Sequence, residues 1–215
     1  MGRKKKTFQR PVGKLDSSLI VIATEGRVTE KNYFESLKES FLNSKVHVEI
    51  LPNIDNNSDP QSRFKLLDGF YKEYELDDED DMFLVVDRDK WTEENLSGVA
   101  KRCHQKGMKL CVSNPCFELW LLLHDKDVSK YSEKEKDLLA VNKKVGKTKR
   151  YLDKKLEICW GGYNKARVDF SFLIAKVNFA IENAKKLDLH PRQRWPNYLG
   201  TRVYLIAEKI IDLAK

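Results

Sequence analysis

No stretch of this 215-residue sequence approaches the roughly 18 to 20 consecutive apolar residues of a membrane-spanning helix, so a membrane-embedded role is not expected. The basic opening Gly2-Arg3-Lys4-Lys5-Lys6 runs into polar residues rather than an apolar core. That excludes a secretory signal and makes a cytoplasmic location the expectation. Cysteine is sparse: Cys103, Cys111, Cys116 and Cys159 have no C-x-x-C spacing, which predicts reduced, mostly buried thiols and argues against zinc. No internal repeat is present and no Ser-His-Asp order stands out. Gly146-Lys147-Thr148 matches only the end of a phosphate-binding loop, because Val141-Asn142 stand where its first glycine is required; an ATP site is therefore rejected.

Hydrophobic residues make up 41% of the chain, enough for a buried core in one large domain or a core with an appendage. Forty basic residues exceed 33 acidic ones, a net charge of +7. This modest excess suits a polyanionic partner without requiring one. The distribution says more. Positive charge gathers in residues 1–14 and in 143–155 (Lys143, Lys144, Lys147, Lys149, Arg150, Lys154, Lys155), and negative charge at Asp77 to Asp81. The lysine run has two readings, a solvated helix face or a phosphate-contacting patch.

Residues 1–16 read as a flexible basic tail. Leu19-Ile20-Val21-Ile22-Ala23 is a continuous apolar run, the pattern of a strand buried on both faces. A helix with Tyr33, Phe34, Leu37 and Phe41 on one side is predicted over Thr29 to Leu42. Val46 to Leu51 reads as a second strand. Asp59-Pro60 is a helix start, with aspartate as cap and proline in the first turn. Residues 82–87 form a third strand, and a helix from Thr92 to Lys106 is stopped by Gly107. Met108 to Val112 is a fourth strand, and Asn114-Pro115 caps an apolar helix over Cys116 to His124. This βα alternation predicts a mostly parallel sheet of about four strands flanked by helices across residues 17–125. Residues 126–215 show no convincing strand. They read as a mainly helical segment, with a charged helix over 133–157, a turn at Trp160-Gly161-Gly162-Tyr163, one long helix from Phe170 to Leu187 and a last helix through Val203 and Ile211. This segment either packs on the sheet or forms a partner surface.

The third strand, Met82-Phe83-Leu84-Val85-Val86-Asp87, ends in Asp87-Arg88-Asp89. In an extended chain, side chains two apart project to the same face, about 6 to 7 Å from each other. If extension persists, Asp87 and Asp89 form a paired-carboxylate site for a hard divalent cation at a strand carboxyl end, where α/β sheets place their sites. Glu25 follows the first strand. If the first and third strands are neighbours, the three carboxylates converge, a repulsion of several kcal/mol by a Coulomb estimate that Mg²⁺ (or Mn²⁺) relieves. Glu30 is a candidate second-metal ligand, or simply an acid favoured at a helix N-terminus. Glu118, on an otherwise apolar helix, is a further candidate for the site. Arg27 and Lys90 lie near this edge and are phosphate-binding candidates, with Lys147, Lys149 and Arg150. Arg88 should face away, toward an acidic neighbour. Asn114 caps its helix or meets substrate phosphate. His124 is a helix-end cation or a general acid. Trp120, Trp195 and Tyr198 read as core or interface aromatics.

Ile20-Val21-Ile22-Ala23-Thr24-Glu25-Gly26 followed by Val85-Val86-Asp87-Arg88-Asp89 resembles the Toprim pattern. More narrowly, these residues together with Thr29-Glu30-Lys31-Asn32-Tyr33-Phe34 and Ser113-Asn114-Pro115-Cys116-Phe117-Glu118-Leu119-Trp120-Leu121-Leu122 resemble the RloB/AbiLii-like proteins, clearly over about residues 17–125 and weakly over about 165–214. The resemblance implies a role in prokaryotic phage defence or abortive infection, beside an ABC/AAA-type ATPase partner. It also implies metal-dependent nuclease activity on DNA or tRNA. In that reading Asp87 and Asp89 hold Mg²⁺, Glu25 is a metal ligand or general acid/base, and water is the nucleophile. A non-catalytic adaptor or sensor on the same fold is the alternative; primase-like nucleotidyl transfer would need a template site that the sequence does not display. Self-association is left open.

Overall fold

The computed structural model describes residues 4–10, 17–41, 45–53, 59–165 and 167–215. Its centre is a sheet made by β2 (Ser18–Thr24), β3 (Val46–Ile50), β5 (Asp81–Asp87) and β6 (Lys109–Asn114), all parallel, with β7 (Gly200–Thr201) antiparallel at one edge. The order is β3-β2-β5-β6-β7. A separate two-stranded parallel ribbon joins β1 (Lys6–Thr7) to β4 (Tyr74–Glu75).

The continuous apolar runs follow from burial on both faces. Ile20 and Ile22 of β2, with Phe83 and Val85 of β5, face one apolar cluster. Leu19, Val21 and Ala23, with Met82, Leu84 and Val86, face the other. Each fully buried Leu, Ile or Phe contributes about 1.5–3 kcal/mol, so neither face of these strands tolerates polarity. The second cluster is covered by α2 (Pro60–Glu73) through Phe64, Leu67 and Phe70, and by α3 (Glu93–Gln105) through Leu96, Val99 and Cys103. The first face carries α1 (Thr29–Ser40), α4 (Glu118–Leu123), α5 (Glu133–Val141), α6 (Tyr151–Trp160), α7 (Ser171–Ile174), α8 (Val177–Leu187) and α9 (Tyr204–Ala214). The helices after residue 125 thus share one apolar core with α1 and α4. The expected start of α2 is as read: Asp59 accepts a hydrogen bond from Ser62 N and Pro60 opens the helix.

Other elements depart from expectation. Residues 4–10, from the stretch expected to be a flexible tail, pack against the body: Phe8 sits among His47, Phe70 and Tyr74, and Arg10 pairs with Asp80 at 2.9 Å. Residues 1–3 and 11–16 of that tail, and Leu42 of the expected first helix, lie outside the described residues. The helix expected over 133–157 is two helices, divided where Asn142 takes a left-handed conformation (φ 45°) and its side-chain oxygen accepts from Leu152 N. Lys143 to Arg150 is therefore a loop, closed by a bridge between Lys144 and Arg150, rather than a helix face. The helix expected from Phe170 to Leu187 breaks between α7 and α8, where Lys176 leaves helical geometry (ψ 13°). The strand β7, unexpected from sequence, is too short for a period-2 pattern to register.

Candidate functional site

Parallel strands bring their carboxyl ends to one edge, and β2 and β5 are direct neighbours, with Thr24 opposite Val85. Glu25 therefore leaves β2 beside the end of β5, and its N–H donates to Val85 O at 3.0 Å. Its buried carboxylate accepts from Asp87 N at 3.2 Å and from the Trp91 indole at 3.0 Å, and pairs with Lys90 at 3.0 Å. One carboxylate thus ties the first strand to the turn after the third.

Gly26 has a steric reason to be glycine. The Glu30 carboxylate lies where a β-carbon would be, 1.6 Å from its ideal position, and accepts from Gly26 N at 3.0 Å. Thr24 Oγ1 donates to Gly26 O at 2.8 Å and fixes the turn. The first turn of α1 then holds Glu30 buried under the strand edge. Burial, with the charges of Glu118 and Glu25, pushes its carboxyl up to about 7, although backbone hydrogen bonds oppose the shift.

Asp87, the last residue of β5, points to the α1 and α4 side, and its Oδ1 accepts from Phe117 N at 2.8 Å. Burial and the charges of Glu30, Glu118, Glu25 and Asp89 raise its carboxyl well above the ordinary range. Extension stops there, because Arg88 N and Asp89 N both donate to Pro115 O. The paired projection expected from a continuous strand is thus replaced by a turn. Asp89 instead reaches Arg150 at 3.4 Å; burial raises its carboxyl although Arg150 and Lys90 pull it down. Arg88 does not meet an acid as expected, but donates to Trp91 O.

Glu118 opens α4 and joins the same group. It pairs with Lys165 at 2.6 Å and accepts from Tyr163 OH at 3.3 Å. Burial opposes ionisation, but the Lys165 ammonium outweighs it and holds the carboxyl below its usual value. Lys165 also meets Asp153 at 3.3 Å, and Thr29 Oγ1 donates to Lys165 O at 3.4 Å, which anchors the loop on α1. A cleft of about 580 Å³ runs between these groups, lined by Glu25, Arg27, Glu30, Asp87, Lys90, Phe117, Glu118 and Lys165.

Glu25, Glu30, Asp87 and Glu118 thus line one cleft, and Asp89 lies close enough to influence Asp87. Three carry a cationic partner: Lys90 for Glu25, Lys165 for Glu118 and Arg150 for Asp89. Glu30 and Asp87, pushed up by burial and by neighbouring negative charge, accept hydrogen bonds from the backbone N–H groups of Gly26 and Phe117. All five offer oxygen donors, the ligand class of hard divalent cations. Among the described residues, no three His, Cys, Asp or Glu side chains already surround one point as metal ligands do.

Of the basic candidates, Arg27 and Lys90 line the cleft and Arg150 reaches Asp89. Lys149 is paired with Glu157 at 2.6 Å, and Lys147 is exposed on the loop before α6. Asn114 does not cap α4; its side chain donates to Pro196 O at 3.1 Å. His124 is a core residue bonded to Tyr33 OH at 3.1 Å and to Trp120 O at 2.9 Å, not an exposed helix-end cation, and burial drives it down to about 4. Trp120 and Trp195 are buried, whereas Tyr198 is exposed and donates to Asp137. Lys165, Tyr163 and Trp91 were not singled out from sequence. Each is a lone residue in a turn, and only the folded loop brings it to a carboxylate.

No described helix is long and apolar enough to cross a membrane. Comparison with curated proteins and with solved structures gave no match. The family model of RloB-like proteins matches residues 20–210, a span that includes every carboxylate of the cleft, and the chain belongs to the RloB-like family.

Proposed function

We propose that this chain is a divalent-cation-dependent phosphodiesterase of the Toprim type, cutting DNA or tRNA as the effector of a phage-defence system in the cytoplasm. The observation that carries the reading is the meeting of Glu25, Glu30, Asp87 and Glu118 in one cleft, with two of them strained toward protonation. Burial and mutual repulsion disfavour the charged forms of Glu30 and Asp87, and a bound cation would relieve both. Mg²⁺ or Mn²⁺ would be held by Asp87 and Glu30 with Glu118 and Asp89, and when bound it neutralises phosphate oxygens and lowers the pKa of water. Glu25, fixed by Lys90, Trp91 and Asp87 N, orients the turn that carries both aspartates and serves as ligand or proton acceptor. Lys90 and Arg27 sit where a substrate phosphate would enter, and Arg150 extends that positive rim. Control by an ABC/AAA-type ATPase is proposed with it, on the resemblance described for the sequence.

A non-catalytic adaptor is the second reading. It is favoured by one observation: Lys90 and Lys165 already engage two of the carboxylates. Calorimetric Mg²⁺ and Mn²⁺ titration of wild type and Asp87→Asn, with cleavage assays on plasmid and total tRNA, separates the two. The nuclease reading expects saturable cation binding and cleavage, both lost in Asp87→Asn. Absence of cation binding at millimolar concentration would leave the adaptor.

A further inference from the structure

We propose that the aromatic cleft next to the carboxylates is a stacking site for one unpaired nucleobase, so that the substrate is single-stranded or locally unpaired nucleic acid. This rests on the nucleic-acid reading above and names its substrate class. The cleft, about 440 Å³, is lined by the rings of Trp160, Tyr163 and Phe172, by the cations Arg167 and Lys176, and by the carboxylates Asp125 and Asp169. That volume is within the range of small-ligand clefts.

Four observations carry the proposal. The rings are not stacked on one another: Trp160 meets Tyr163 at 73° and Phe172 at 88°, with centroids 5.5 and 5.4 Å apart. Phe172 remains 39% exposed, so apolar ring surface is presented to solvent. The platform is also held in place, because the Trp160 indole donates to Asp125 Oδ2 at 2.9 Å and Asp125 is itself paired with Lys176.

The fourth observation is continuity. Tyr163 and Asn164 wall the aromatic cleft, while Tyr163 OH and Lys165 Nζ bind Glu118 of the carboxylate cleft. One three-residue segment thus separates the two. A polynucleotide alternates phosphate and base, so a chain with a phosphate at the carboxylates presents a neighbouring base to Trp160 and Phe172, with Arg167 beside it for the backbone. Aromatic side chains hold bases this way without reading sequence. A duplex keeps its bases paired and stacked inside, and cannot fill the cleft without opening.

The test is fluorescence anisotropy with the full chain and Ca²⁺ in place of Mg²⁺, so that a hard cation offsets the carboxylates, with the probes shown by gel to remain uncut. The probes are short labelled single-stranded RNA and DNA oligonucleotides and the corresponding duplexes. The expected result is tighter binding of unpaired strands, weakened roughly tenfold by Phe172→Ala and restored by Phe172→Tyr. Thermal melting of Phe172→Ala checks that the fold is intact. The tighter of RNA and DNA identifies the sugar. Equal affinity for duplex, or an affinity unaffected by Phe172→Ala, overturns the stacking site. Asp87-dependent cleavage with binding insensitive to Phe172→Ala would remove this inference and leave the nuclease. Phe172-sensitive binding without any cleavage would do the reverse.

Discussion

At the scale of single residues, Gly26 separates what the fold needs from what the site needs. The atoms nearest to a methyl group there belong to the far end of Glu30, which can swing away, so Gly26→Ala should fold. The expected cost is about 1 kcal/mol for the lost Gly26 N–H to Glu30 hydrogen bond, a fall in Tm of about 2–4 °C. Divalent-cation affinity should fall by at least about tenfold, because one buried oxygen donor is displaced. Thermal melting and calorimetric titration of the same variant check both halves. Equal effects on wild-type stability and on cation binding would show that Gly26 serves only the fold. The Glu-Gly dipeptide was visible in the sequence, but the reason for its glycine was not, since the atom that excludes a side chain comes from a residue one helical turn further on.

At the scale of elements, α4 is the clearest case of a helix set by burial. All six of its residues, Glu118 to Leu123, are buried, and His124 follows them into the core. With its value depressed to about 4 from 6.5, His124 stays neutral in the folded protein while it protonates in the unfolded chain. The unfolded state therefore binds more protons between these values, and stability falls as pH drops from about 6.5 toward 4. Full protonation would remove about 3 kcal/mol. Urea unfolding at pH 7 and pH 4.5 should show a smaller pH-dependent loss for His124→Gln than for wild type; parallel losses would refute the assignment. The four parallel strands were legible because each is a continuous apolar run between turn signals. The divisions at Asn142 and Lys176 were not, because the apolar spacing on either side still fits a helix and a lone Gly146 does not by itself end one, until a side chain such as Asn142 finds a distant backbone partner. For the same reason Glu25, Asp87 and Glu118 could be picked from their positions at element ends, while Lys165 could not.

At the scale of the whole molecule, the carboxylates come from β2, α1, β5 and α4, so the cleft is a property of the assembled fold. A cation that binds only the folded state should raise its stability by about 2.7 kcal/mol at a hundredfold excess over Kd. Wild type is accordingly expected to melt several degrees higher in saturating Mg²⁺, and Asp87→Asn is not. Without metal, Asp87→Asn should melt no lower than wild type, because it removes a carboxyl whose charged form is disfavoured by burial and by the charges of Glu30, Glu118 and Glu25. A variant that melts far lower in EDTA would contradict the repulsion described above. The antiparallel strand β7 adds a consequence in time. Ser113, at the end of β6, is hydrogen-bonded to Thr201, 88 residues later, and Asn114 is anchored on Pro196. During synthesis the strand end beside Asp87 and Phe117 therefore waits, incomplete, until residue 201 has left the ribosome. A nascent chain carries every carboxylate long before it can hold them in place, so the order of translation itself delays the appearance of a finished cleft.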